Sequence, residues 1–133
     1  MKTFTELQSL ILAALEEAGE DHLSALINTV VSRNGSIDEI DAISTALAGL
    51  IEGGLLRIAR SRDKDSLRWI ALRKDESLAP LSSLKSFLQW SSADRLWKWQ
   101  ESFPRLEVLL TPAGIDAAQQ ILHEHGRPPR QSH

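Results

Sequence analysis

Residues 36–74 read SIDEIDAISTALAGLIEGGLLRIARSRDKDSLRWIALRK, and the fold turns on how this stretch is divided. Ser36-Ile37-Asp38-Glu39 has the form of a capping box, in which Ser takes an orphan backbone N–H at a helix start and Glu reaches back to the cap. Ile40, Ile43, Leu47, Leu50 and Ile51 follow at helical spacing. Gly53-Gly54 then supplies the left-handed stop common at helix ends. Leu55 to Ala59 reads as a strand, Arg62-Asp63-Lys64-Asp65 as a turn and Leu67 to Leu72 as a second strand. The stretch is therefore a helix that feeds directly into a β-hairpin with a basic tip.

Upstream, Thr3-Phe4-Thr5-Glu6 forms a second capping box. Phe4, Leu7, Leu10, Ile11, Ala14, Leu15 and Ala18 line one face of a helix ending at Gly19. Asp21 is placed to cap the next helix, whose stripe of Leu23, Leu26, Ile27, Val30 and Val31 runs to about Arg33. Asn34-Gly35 is a turn signal, since both residues tolerate positive φ. Downstream, Thr111 is a good N-cap and Pro112 suits the first helical position, with Ile115, Ala118, Ile121 and Leu122 giving a short apolar face.

This order resembles the winged helix-turn-helix superfamily, and MarR- and PadR-like bacterial regulators in particular. The resemblance rests on Ala46-Leu47-Ala48-Gly49-Leu50-Ile51-Glu52-Gly53-Gly54-Leu55-Leu56, which looks like the end of the family's third helix. It rests also on Leu106-Glu107-Val108-Leu109-Leu110-Thr111-Pro112-Ala113-Gly114, which looks like the strand, Leu-Thr-Pro-x-Gly and helix at the exit of the wing. It covers roughly two thirds of the chain with motifs that are structural rather than catalytic. The resemblance implies a mainly α fold with a small antiparallel sheet (α+β), a DNA-binding transcription regulator, and a homodimer joined through terminal helices, here Phe4–Ala18 and Pro112–His125.

The chain departs from that pattern between the hairpin and the last strand. Residues 77–103 read as a helical insertion. Leu81, Leu84, Phe87 and Leu88 form one helix with Pro80 near its start; Ser92 caps another carrying Leu96, Trp99 and Phe103 until Pro104. A third strand follows from Arg105 to Leu110. The expected organisation is one domain over 1–125, its core from 3–74 and 105–125, with a flexible tail at 126–133. Trp90, Trp97 and Trp99 sit in the insertion. They read either as core filling between helices or as a partner-binding patch, and Trp97 favours the patch because it lies off the Leu96/Trp99/Phe103 stripe.

Charge separates the two halves of the opening stretch. Residues 1–56 carry Lys2 and Arg33 against nine acidic side chains, whereas 57–74 carry Arg57, Arg60, Arg62, Lys64, Arg68, Arg73 and Lys74 against Asp63 and Asp65. The family places its third helix in the DNA major groove and its wing on the backbone. The third helix here, Ile37 to Glu52, has no Lys or Arg. Ser44 and Thr45 are its candidate DNA contacts, but Asp38, Glu39 and Asp41 would repel phosphates, although acids also suit a helix N-terminus. Arg60, Arg62 and Lys64 are the best phosphate contacts, supported by Arg68 and Arg73. Alternatively these charges form a solvated edge that discourages strand pairing. Two readings stand: a winged-helix DNA-binding regulator gripping through its wing, and a winged-helix protein–protein module using acidic helices and the Trp-rich insertion.

Other classes are poorly served. With no cysteine, thiol catalysis and disulfides are excluded, and the composition fits a reducing cytoplasm. His123-Glu124-His125 resembles a metal tract only superficially, because alternate helical residues diverge. No phosphate loop, nucleophile elbow or zinc-protease helix is present, so no catalytic, cofactor or metal residues are assigned. Neither a signal peptide nor a membrane span is expected.

Overall fold

The computed structural model describes residues 4–18, 21–31, 34–61, 69–100 and 106–125. Its class is α+β: among the described residues there are five α-helices with small antiparallel sheets. Helix α1 spans Glu6–Ala18 and begins at a reciprocal box, but not the one expected at Thr3 and Glu6. The Gln8 amide donates to Thr5 Oγ1 and the Thr5 amide to Gln8 Oε1, both at 3.1 Å. Thr3 itself lies outside the described residues. Ile11, Leu12 and Leu15 of α1 are wholly buried.

Asp21 and His22 form a short strand, β1, paired with Val108 and Glu107. The expected Asp21 cap is thus overturned: ladder hydrogen bonds hold this backbone extended, and His22 occupies the N-cap position of α2, Leu23–Val30. That helix stops short of Arg33, at an extended Val31. At α3, Ile37–Glu52, the Ser36 side chain makes no capping bond. The Ser36 amide donates instead to Asn34 Oδ1 at 2.9 Å, so an Asx turn brings the chain into the helix.

The other end of α3 forms as read. Gly54 has φ +78°, whereas Gly53 is right-handed; the Leu55 amide reaches Leu50 O at 3.0 Å and the Gly54 amide reaches Ile51 O at 2.9 Å. This is a Schellman stop with Leu55 and Leu50 both buried beside it.

Strand β2, Leu56–Ser61, pairs with β3, Trp69–Ala71, and on its other side with β6, Leu106–Leu110. The sheet order is β1-β6-β2-β3, all antiparallel, so the last strand in sequence lies in the interior of the sheet. Helix α5, Pro112–His125, packs against α1.

Between β3 and β6 the expected pair of helices is half wrong. Helix α4, Lys74–Leu78, runs into a 3-10 helix, Ala79–Phe87, with Pro80 in its first turn and a kink at Ser83. Beyond it comes a β-hairpin, with β4 at Leu88–Ser91 and β5 at Leu96–Trp99. The register pairs Leu88 with Trp99 and Trp90 with Trp97 on the inner face, and exposed Gln89 with Lys98 on the outer. Aromatic residues favour pleated surfaces and cross-strand pairing. Phe87 stacks on Trp99 and Trp90 tilts against Trp97, each with ring centroids 5.4 Å apart. Ser92 opens the tight turn rather than capping a helix, and Arg95 takes φ +55° there.

One polar side chain is sealed in this frame. Ser77, wholly buried, accepts from the Ile58 amide at 3.1 Å and donates to Leu72 O at 3.3 Å. It thereby continues the pairing that ends with Leu72 N–H to Ile58 O. Ser77→Ala leaves a buried strand amide without an acceptor, and urea denaturation is expected to show a loss of about 1–3 kcal/mol.

Candidate interaction face

Burial of Ile40, Ile43, Leu47, Leu50 and Ile51 turns the opposite side of α3 outward. Exposed there are Ile37, Asp38, Asp41, Ala42, Thr45, Gly49 and Glu52; Ser44 is half-buried. Some of the polar groups on this face have roles within the chain. The Thr45 hydroxyl donates to Asp41 O at 3.1 Å, a back-bond to the preceding turn. Lys85, on the 3-10 helix, reaches Asp41 at 3.2 Å. Lys74 Nζ donates to Glu52 O at 3.0 Å, placing a cation at the negative end of the helix. At Gly49 a Cβ would lie 2.8 Å from Gln8 Nε2, so the glycine leaves room for the tip of that side chain. The acids Asp38, Glu39 and Asp41 cluster at the positive end, where the helix dipole favours them.

The basic hairpin is only partly described. Arg60 is exposed on β2. Arg57, also exposed, donates from Nε to Leu72 O at 3.1 Å. Arg73 pairs with Glu76 at 3.3 Å, and its amide donates to the same carboxylate. Such exposed pairs are worth little and yield readily to another anion. The candidate DNA contacts Arg62, Lys64 and Arg68 lie outside the described residues.

None of the candidates Trp90, Trp97 and Trp99 is fully exposed. Trp97, which the helical reading set off the apolar stripe, is 5% exposed and belongs to the core. Its strand turns it inward, whereas a helix would have turned it away. Trp90 and Trp99 are half-buried against the same core. Trp90 lies on the turn between α2 and α3: a Cβ on Gly35, which has φ +75°, would be 2.7 Å from the indole. Sequence reasoning missed the residue that holds this hairpin. Asn28 of α2 donates from Nδ2 to Trp97 O at 2.8 Å and accepts from the Trp97 amide at 2.9 Å. A lone Asn in an apolar helix carries no signal of such a long-range partner. The hairpin turn is closed by Lys98 and Asp94, 2.6 Å apart. The hydrogen bond and charge of Lys98, then a hydrogen bond from Ser91, hold the Asp94 carboxyl below its ordinary value.

Among the described residues, no group of three or more His, Asp or Glu is placed to hold a metal ion, and no helix is long and apolar enough to cross a membrane. Comparison with protein-family models, with curated proteins and with solved structures finds no match to the chain.

Proposed function

We propose that the chain is a non-enzymatic, winged-helix-type binding module that docks a protein partner rather than reading DNA through α3. One observation carries this reading: the outward face of α3 presents Asp38, Asp41 and Glu52 and has no base of its own. A DNA backbone approaching that face meets charge of its own sign, and no positive side chain, from the helix meant to enter the groove. A basic protein surface meets complementary charge. The winged-helix frame itself is supported by the succession of three helices and a sheet in which β6 lies between β1 and β2. In this reading the chain works in the cytoplasm as a homodimer through α1 and α5, each of which leaves one large apolar side chain exposed, Leu10 and Ile115.

The second reading, DNA binding through the wing, is favoured by exposed Arg57 and Arg60 on β2, immediately before Arg62 and Lys64 in the sequence. One titration separates the two. Fluorescence anisotropy with a mixed-sequence duplex at low salt is expected to show no salt-sensitive binding by the parent chain. Salt-dependent binding that Arg60→Ala, Arg62→Ala and Lys64→Ala together abolish would overturn the protein-docking proposal in favour of the wing.

A further inference from the structure

The chain has two asparagines, Asn28 and Asn34, and the fold sets them in opposite situations. Asn28 lies inside α2 and is followed by Thr29. Both ends of its amide are held, Nδ2 by Trp97 O at 2.8 Å and Oδ1 by the Trp97 amide at 2.9 Å. Asn34 is exposed between α2 and α3 and is followed by Gly35. Its Oδ1 accepts the Ser36 amide at 2.9 Å, the bond that brings the chain into α3.

An asparagine carboxamide is an electrophile at Cγ, and the main-chain nitrogen of the next residue is the nucleophile nearest to it along the chain. A side chain on that next residue crowds the attack; Gly35 carries none. The Asx turn closes a hydrogen-bonded ring that contains both Asn34 Cγ and the Gly35 nitrogen, so the reacting groups are kept together before they react. The same bond aims the Ser36 N–H at the oxygen that gains negative charge as Cγ becomes tetrahedral. Asn28 has neither advantage. Its amide is tied down at both ends, and the nitrogen that follows it is inside a helix and carries a β-branched residue.

We propose that Asn34 is a self-modifying site, which the folded chain converts through a cyclic imide into aspartate and isoaspartate. The Gly35 nitrogen bonds to Asn34 Cγ and gives its proton to solvent. The bond from Cγ to the side-chain nitrogen breaks, and that nitrogen leaves as ammonia with a proton from solvent. Water then opens the imide. Attack at Cγ restores the main chain and leaves aspartate; attack at the main-chain carbonyl leaves isoaspartate, with the chain running through Cγ. Water is the only co-reactant, and nothing is oxidised or reduced. Either product adds a carboxylate just before the positive end of α3, where Asp38 and Glu39 already lie. The isoaspartyl form also lengthens the main chain beside Gly35, whose backbone fits so closely under the Trp90 indole that a Cβ would be 2.7 Å from the ring. That contact must then shift. The conversion does not depend on what the α3 face binds.

The full chain, kept folded in mildly alkaline buffer and then digested at acidic pH, where the imide does not form, is followed over time by peptide mapping with mass spectrometry. The peptide carrying Asn34 is expected to gain the mass of an NH2-to-OH exchange and to split into two chromatographic forms, while the peptide carrying Asn28 stays unchanged. Conversion in the folded chain should be at least as fast as in the chain unfolded in guanidinium chloride, because the turn maintains an arrangement that an unfolded chain only visits. Ser36→Pro removes the donating N–H at a residue whose φ of −70° proline adopts, and should slow conversion by about tenfold. A folded chain that converts more slowly than the unfolded one would mean that the turn protects Asn34, and the proposal is overturned. Equal conversion at Asn28, or a Ser36→Pro variant as fast as the parent, overturns it too. Should that variant fail to fold, the folded and unfolded parent chains decide alone.

Discussion

Gly114→Ala is expected to destabilise the chain by about 3 kcal/mol, the upper end for forcing an added methyl into a closed contact. The side chain that alanine adds would fall on the carbonyl oxygen of Leu55, in the first turn of α5. That carbonyl cannot move aside cheaply. It already accepts the Thr111 amide at 3.0 Å, while the Thr111 hydroxyl donates to Gly54 O at 2.6 Å and accepts from the Gly114 amide at 3.1 Å. The stop of α3 and the start of α5 are therefore one interlocked junction. Urea denaturation monitored by far-UV circular dichroism gives the number. Ala113→Ser, one residue earlier on an exposed position, serves as control and should stay within about 0.5 kcal/mol of the parent. A Gly114→Ala variant as stable as the parent would mean that the two helix ends do not touch.

Trp97→Ala should cost about 3–5 kcal/mol, the usual range for emptying a buried aromatic site. The indole belongs to the main core and also backs the Trp90 ring, so its loss loosens both sides of the hairpin. Trp97→Phe is the informative companion. It keeps much of the apolar contact and removes an indole N–H that has no acceptor among the described residues. Its cost should therefore be well below that of the alanine variant. If Trp97→Ala changed the urea midpoint little, the hairpin would be ornamental to the core rather than part of it.

Much of the fold was legible because some local choices admit only one outcome. The apolar stripe of α3 repeats for four turns, Gly54 sits where φ must be positive, and Thr111-Pro112 starts a helix from either side of the argument. The hairpin was not legible, because over so short a span the helical spacing of Leu96 and Trp99 competes with the alternation of Trp97 and Trp99. Tertiary contact decides there: Asn28 supplies β5 with an edge that no local pattern records. The same holds for β1, too short to announce itself and made by pairing with a distant strand in the register Asp21↔Val108. Of the candidate site, the acidic character of α3 could be read from its residues directly. The internal duties of Thr45, Asp41 and Lys74 could not, since each partner lies on a backbone turn or a distant element.

The position of β6 in the sheet bears on how the molecule is made. A ribosome delivers β1 and β2 early, yet neither pairs with the other; the strand that joins them emerges only after the whole excursion through α4 and the hairpin. Until then the side of β2 that β6 will pair has no strand partner, and the nascent chain carries an open strand edge. Strands β2 and β3 can pair as a local hairpin, but joining β1 to them waits on β6 and on closure of a long loop.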